Sequence, residues 1–229
     1  MDEKIYTIPV NEAFDEYDGC PFCRMRRKLE DNERELIMGA SMMEPSIRIK
    51  TNKTGFCKKH FDKMFAMNNR LSLALMLESH LDEVSDNTVI WKKSIVFKDN
   101  SKKAVENMKK IKNDCYICQN TLEKFEKMMF CAVLLWNTQP EFREKTKKQQ
   151  YFCLEHASEF VETASLKLDK KQYAQFLEDV STVQSEYIAS LKEDVSWFCK
   201  KFDYRYENEP WGNAKNSVER AIKFLEGDY

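Results

Sequence analysis

Glycine and proline are scarce: five of each in 229 residues. So few breakers, alongside abundant Lys, Glu, Leu and Met, argue against many short strands and turns and favour long helices. A charge bias is also missing. Lys and Arg total 37 against 38 Asp and Glu, a net charge of −1, so whole-molecule charge supplies no attraction for nucleic acid or an anionic membrane. Long apolar runs are absent too. The longest, Met128–Trp136 (MMFCAVLLW), is about half of what a bilayer-spanning helix needs. The opening MDEKIYTIPV has no basic stretch leading into an apolar core, so it does not read as a secretory signal. With 33% charged residues and a mean hydropathy of −0.64, a cytoplasmic, charge-coated chain with no membrane association is expected.

What the sequence does have is eight cysteines. In a reducing compartment these point to metal or redox chemistry rather than disulfides. Six of them sit in four-residue boxes: Cys20-Pro-Phe-Cys23, Cys57-Lys-Lys-His60, Cys115-Tyr-Ile-Cys118 and Cys153-Leu-Glu-His156. Cys23 to Cys57 is 34 positions, and Cys118 to Cys153 is 35. Pro45 and Pro140 each lie 22 positions after the second cysteine of a CxxC, and Phe56 and Phe152 each precede the third cysteine. A unit of CxxC, helix, Pro, loop and FCxxH thus occurs twice, offset by 95 to 96 residues. The expected fold is all-α: two tandem helical units related by internal duplication, 1–95 and 96–229, packed as one domain and each pinned by a Cys3His metal site.

Helix signals place the boxes. Pro21 suits a first helical position, so a helix runs from there to about Met38. TNKTG (51–55) reads as a loop in which Gly55 takes positive φ just before Cys57. A helix from Lys58 carries Phe61, Met64, Phe65, Leu71, Ala74, Leu75 and Leu81. Another runs from Tyr116 to about Trp136, and Thr138 is placed to cap a short one opening at Pro140. Asp169 is placed to cap the longest pattern, in which Tyr173, Phe176, Leu177, Val180, Val183, Tyr187, Ile188, Leu191, Val195 and Phe198 recur at mostly three- and four-residue steps. Asn87–Asn100 is the exception, a short strand or an extended linker. Lys92–Lys112 carries eight Lys against Asp99 and Glu106 and reads as a solvated helix face rather than a binding patch.

Tetrahedral zinc takes four N or S ligands at about 2.0–2.3 Å. A CxxC or CxxH at a helix start directs two ligand side chains to one side of one turn, and two such half-sites complete a Cys3His shell. The helix N-terminus favours thiolate over thiol. The simple pairing is within each unit: Cys20, Cys23, Cys57 and His60 in one site, Cys115, Cys118, Cys153 and His156 in the other. Crossed pairing between units is the alternative. Two zinc ions per chain follow, with an iron–sulfur cluster in the same shells as the alternative cofactor. No catalytic residues are identified: there is no Ser/His/Asp order, no phosphate loop and no distinct carboxylate pair. A thioredoxin-type reading of Cys20–Cys23 needs a strand-to-helix junction, and nothing before Cys20 reads as a sheet. Cys131 and Cys199 lack an i+3 partner and read as buried or half-buried small hydrophobes. His80 reads as a helix-face histidine, and Met38, Met42, Met43, Met64, Met67 and Met76 as core filler. The aromatic stretch Asp203–Gly212 is expected to pack over the helices or to form a contact surface.

The combination YTIPVNEAF, CPFC, MMEPSIRI, GFCKKHF, CYIC, FCLEH and FDYRYENEPWGNAK resembles an uncharacterised bacterial family, found mainly in anaerobic Gram-positive bacteria and described as a domain of unknown function. The resemblance covers nearly the whole chain and implies no established activity. Some members are labelled substrate-binding proteins of ABC transporters. A two-lobed binder is not expected here, because there is no signal segment, no lipobox cysteine and no alternation of strand and helix. The leading expectation is a non-enzymatic interaction or scaffold protein with an unidentified protein partner. The alternative is a redox or iron–sulfur protein, and nucleic-acid binding is the least expected.

Overall fold

The computed structural model describes residues 3–88 and 101–229. Among these the chain is helical with no strand: α1 (Glu3–Asp15), α2 (Pro21–Met38), α3 (Pro45–Thr54), α4 (Lys58–Ala66), α5 (Arg70–Thr88), α6 (Ser101–Asn113), α7 (Tyr116–Thr138), α8 (Pro140–Lys147), α9 (Leu154–Lys167), α10 (Lys170–Lys200) and α11 (Ser217–Glu226), with short 3-10 turns between some of them. Of the strand or linker expected at Asn87–Asn100, the first two residues belong to α5 and the rest lie outside the described residues. The described part of the lysine-rich segment is α6, whose Lys102, Lys103, Lys109, Lys110 and Lys112 are all exposed.

The helix starts follow the local chemistry. Pro21, Pro45 and Pro140 all open helices, where the missing N–H would be unbonded anyway. Asp169 caps α10 by accepting from the N–H groups of Lys171 and Gln172, and Gln172 returns a side-chain bond to the Asp169 N–H, a capping box. Thr138 does not cap α8. Its hydroxyl donates back to the Leu134 carbonyl within α7, and Gln139 occupies the cap position without a side-chain bond.

The helix expected from Lys58 onward breaks in two at Met67–Asn69, where Asn68 adopts φ 61°, a left-handed conformation that Asn tolerates. The break resets the helical phase. Leu71 and Leu81 point outward at 70% and 61% exposure, while Ser72, Leu73 and Met76 turn inward. TNKTG is likewise not a loop throughout, since α3 runs to Thr54 and only Gly55, at φ 62°, ends it.

The chain divides into two compact units, 28–124 and 1–27 with 125–229. Their bounds fall inside α2 and α7. In the 28–124 unit, α3 and α4 pack on α5, and α5 packs on α6. Its core is Ile37, Met38, Phe56, Met64, Leu73, Met76, Cys115 and Ile117. Met38, Met64 and Met76 are thus core filler, whereas Met43 is 72% exposed.

In the other unit α10 is the spine, packed against α8, α9 and α11, with α1 on α8. Its core is aromatic: Phe14, Phe22, Trp136, Phe142, Phe152, Phe160 and Phe176 are all buried. Edge-to-face contacts such as Phe22–Phe160 at 4.7 Å and Trp136–Phe176 at 5.0 Å tie these rings together. The Trp136 Nε1–H donates to buried Asp179 at 3.1 Å. Asp203–Gly212 packs back on the end of α10: the Lys201 ammonium donates to the carbonyls of Tyr206, Glu207 and Glu209, and Trp197 donates to the Pro210 carbonyl. Phe202 and Tyr204 remain 75% and 85% exposed.

Candidate metal centres

All four boxes are built alike. Cys57 and Cys153 are the N-cap residues of α4 and α9, and Cys20 and Cys115 immediately precede α2 and α7. In each case the first cysteine's carbonyl accepts a helical bond from the residue four positions on: Arg24, Phe61, Gln119 and Ala157. The second ligand candidate, Cys23, His60, Cys118 or His156, then falls on the first helical turn. Both side chains of a box thereby sit at a helix N-terminus, where partial positive charge and free N–H groups favour thiolate. Phe22 and Ile117, inside the two CxxC boxes, are fully buried and act as packing anchors that fix the orientation of each box.

The boxes pair crosswise. One group joins Cys20 and Cys23 to Cys153 and His156; the other joins Cys57 and His60 to Cys115 and Cys118. The within-unit pairing expected from the spacing is therefore corrected: each group takes its CxxC from one repeat and its CxxH from the other. Each group lies within a single compact unit.

In the first group Cys23 Sγ lies 3.5 Å from Cys153 Sγ, and the His156 Nδ1 is 3.7, 3.4 and 3.1 Å from the sulfurs of Cys20, Cys23 and Cys153. In the second, Cys57 and Cys118 are 3.9 Å apart, and the His60 Nδ1 is 3.2, 3.3 and 3.5 Å from Cys57, Cys115 and Cys118. An ideal tetrahedron with zinc–ligand lengths of about 2.3 Å (S) and 2.05 Å (N) has edges of about 3.8 Å (S–S) and 3.6 Å (S–N). The donor atoms of each group all lie within 4.8 Å of one another, so the residues fit a single tetrahedral ion.

The surroundings differ. Cys20, Cys23, Cys153 and His156 are all buried, with no more than 5% exposure, and this group is called the enclosed centre. The His156 ring is framed by Phe125 at 5.1 Å, Tyr229 at 5.3 Å and Phe22 at 6.1 Å. The backbone N–H of Asp228 donates to Cys23 Sγ at 3.3 Å. Arg26 stacks over Tyr229 at 4.0 Å and pairs with Glu155 at 3.1 Å. The other group is the open centre, because Cys118 is exposed and Cys57 half-buried. Behind its His60, Glu30 is buried at 3% exposure. A Glu30 carboxylate oxygen lies 3.5 Å from Nε2, and Lys59 and Lys63 pair with the same carboxylate at 3.1 and 3.0 Å. A carboxylate behind a ligating histidine orients the ring and raises its basicity.

Crowding these donors redistributes protons. Cys23 is drawn down to about 4, first by its contact with Cys153, then by Cys20, with the Asp228 N–H adding against the effect of burial. Cys20 is pushed up, chiefly by burial. In the open centre Cys115 falls to about 3, mainly through its contact with Cys118 and also through His60, while Cys118 rises in return. Burial opposes a charged His60, but Cys115 and Glu30 outweigh it and carry the ring to about 9. Glu30 itself is held far below the ordinary carboxylate range: burial acts against it, and His60, Lys63 and Lys59 prevail. Each group thus gathers thiol, thiolate and imidazole donors, and a divalent ion bound there would displace their protons.

The remaining candidates fall outside both centres. His80 bonds the Asn52 carbonyl through Nδ1 at 2.6 Å. Cys131 is buried at 2%, and Cys199 is exposed rather than the half-buried hydrophobe expected. Glu30, Asp228 and Tyr229 carried no readable signal. A buried Glu in RRKLEDNERE looks like any surface acid, and the approach of Asp228 to Cys23 spans 205 positions.

Among the described residues, fold and site together define a class: an all-α protein with two Cys3His groups able to hold metal ions. The chain belongs to the family of unknown function DUF6062, whose profile matches residues 1–229. No curated protein matches it, and neither does any solved structure.

Proposed function

We propose that the protein binds two zinc ions per chain as structural centres and acts as a non-enzymatic interaction or scaffold protein. The observation that carries this reading is the agreement of each donor set with one tetrahedral ion. Four protein ligands leave no open position for a substrate or an activated water, which supports a structural over a hydrolytic role. Zinc held there would pin two helix N-termini to each other. Single-ion spacing also favours zinc over an iron–sulfur cluster, whose inorganic core holds its thiolates further apart. The redox alternative is then a mononuclear iron in the same shell.

The repeated order of CxxC helix, Pro-initiated helix and CxxH helix, α2–α3–α4 and α7–α8–α9, supports internal duplication. The exposed Phe202 and Tyr204 support binding of another protein, and the even charge balance gives nucleic acid no hold. No helix among the described residues is long and apolar enough to cross a membrane, and a cytoplasmic location is the reading adopted. Elemental analysis of protein purified without chelators tests the proposal. Two zinc per chain in colourless protein is expected. Stoichiometric iron with visible absorption would replace zinc by the redox reading, and fewer than two tightly held ions would refute the two-centre reading.

A further inference from the structure

The two centres share a donor set and differ in access. In the enclosed centre no cysteine exceeds 5% exposure. A cleft of about 390 Å³ reaches Cys20 and Cys23, but its charged walls are committed to one another. Arg24 pairs with Glu16 and Asp18, Arg27 and Lys223 share Asp228, and the Asp228 N–H occupies Cys23 Sγ. In the open centre Cys118 faces solvent, and half-buried Cys57 lies 3.9 Å away across the exposed side of the group. The other two donors, Cys115 and His60, are buried at 3% and 0%. Thiol reactivity follows thiolate character and exposure together, and metal ligation keeps a sulfur in the thiolate form.

We infer that Cys118 is an oxidative modification site, reached first by small oxidants of the peroxide class, with Cys57 as its resolving partner and loss of the open-centre metal as the consequence. The Cys118 thiolate attacks one peroxide oxygen. The O–O bond breaks, hydroxide leaves and is protonated to water, and Cys118 becomes a sulfenic acid. The Cys57 thiolate then attacks that sulfur. The S–S bond forms, the S–O bond breaks, and the second hydroxide leaves as water. Two electrons, one from each sulfur, reduce one peroxide to two waters. The sulfurs must approach by roughly 2 Å to reach bonding distance, and both sit at helix starts, where the first turn yields most easily. Cys115 and His60 alone remain, too few to hold an ion.

The release of metal and the thiolate state of Cys118 rest on the zinc reading, whereas the order of modification rests on exposure and distance. The test uses the full chain carrying Cys199→Ser, which removes the exposed thiol outside both centres. Hydrogen peroxide is added in equimolar amount, and the readouts are a chromogenic zinc chelator and peptide mapping after alkylation. The expected result is release of one of two zinc equivalents, a Cys57–Cys118 disulfide, unmodified Cys20, Cys23 and Cys153, and recovery on adding thiol and zinc. Release of neither or both equivalents, or reaction of an enclosed-centre cysteine first, would overturn it. If the protein carries no metal before peroxide, the zinc reading fails separately and the peptide map decides: a Cys57–Cys118 bridge formed first supports the inference, and any other first product refutes it.

Discussion

Gly55 is a position where a single methyl group tests the construction of the open centre. It ends α3 at φ 62°, two residues before Cys57. Its carbonyl accepts the Tyr116 N–H at 3.0 Å, which joins this turn to the start of α7 beside Cys115. A Cβ added at Gly55 would lie 2.5 Å from His80 Nε2 and 2.7 Å from its Cε1. Gly55→Ala therefore meets two costs. A backbone at φ 62° and ψ −156°, a region populated almost only by glycine, costs any other residue about 1–3 kcal/mol. The His80 ring must also swing away and lose its bond to the Asn52 carbonyl, worth about 0.5–1.5 kcal/mol. The sum is roughly 1.5–4.5 kcal/mol, or a Tm lower by about 3–18 °C at 2–4 °C per kcal/mol for a chain of this size.

The assay is thermal and urea unfolding followed by circular dichroism in a buffer of fixed free zinc, so that binding contributes equally to every variant. A double-mutant cycle with His80→Ala separates the two costs. In the His80→Ala background the same Gly55→Ala change should cost only the backbone part, leaving a coupling of about 1 kcal/mol. An unchanged Tm for Gly55→Ala would refute the argument, and full additivity with His80→Ala would refute its steric half.

Crossed pairing makes a sharp prediction for paired substitutions. Cys20→Ser with Cys153→Ser should remove one metal per chain and leave one, whereas Cys20→Ser with Cys57→Ser should remove both; elemental analysis showing the reverse would restore pairing within each repeat. Glu30→Gln should weaken metal retention at the open centre by about 10–100-fold in chelator competition and leave the enclosed centre unchanged; equal loss at both centres would show that Glu30 acts only on general stability. Phe22→Ala empties a fully buried position ringed by Phe14, Phe152 and Phe160 and should cost about 3–5 kcal/mol in urea unfolding. A loss below about 1 kcal/mol would mean the aromatic core does not anchor the Cys20–Cys23 box.

The eight ligand candidates, the helix each box opens and the all-α class were legible in the sequence, because all are local. Pro21 and Asp169 set helix starts through their own backbone and side-chain chemistry, and a CxxC or CxxH on a first turn presents two ligands whatever surrounds it. The misreadings were also local in origin. Asn68 stopped a helix that periodicity carried through, and hydrophobic spacing continued across that break assigns the wrong face to Leu71 and Leu81. Which half-sites meet is not a local property. From Cys20, α2 runs about 27 Å at 1.5 Å per residue, and the ten residues of α3 span only about 15 Å. In the second motif unit α7 spans about 35 Å and α8 about 12 Å. A CxxH that follows such a helix is delivered away from the CxxC that opened it. Spacing along the chain therefore names the candidate ligands, while the tertiary structure decides that each Cys3His group joins a CxxC from one motif unit to a CxxH from the other, with one group buried and the other left open.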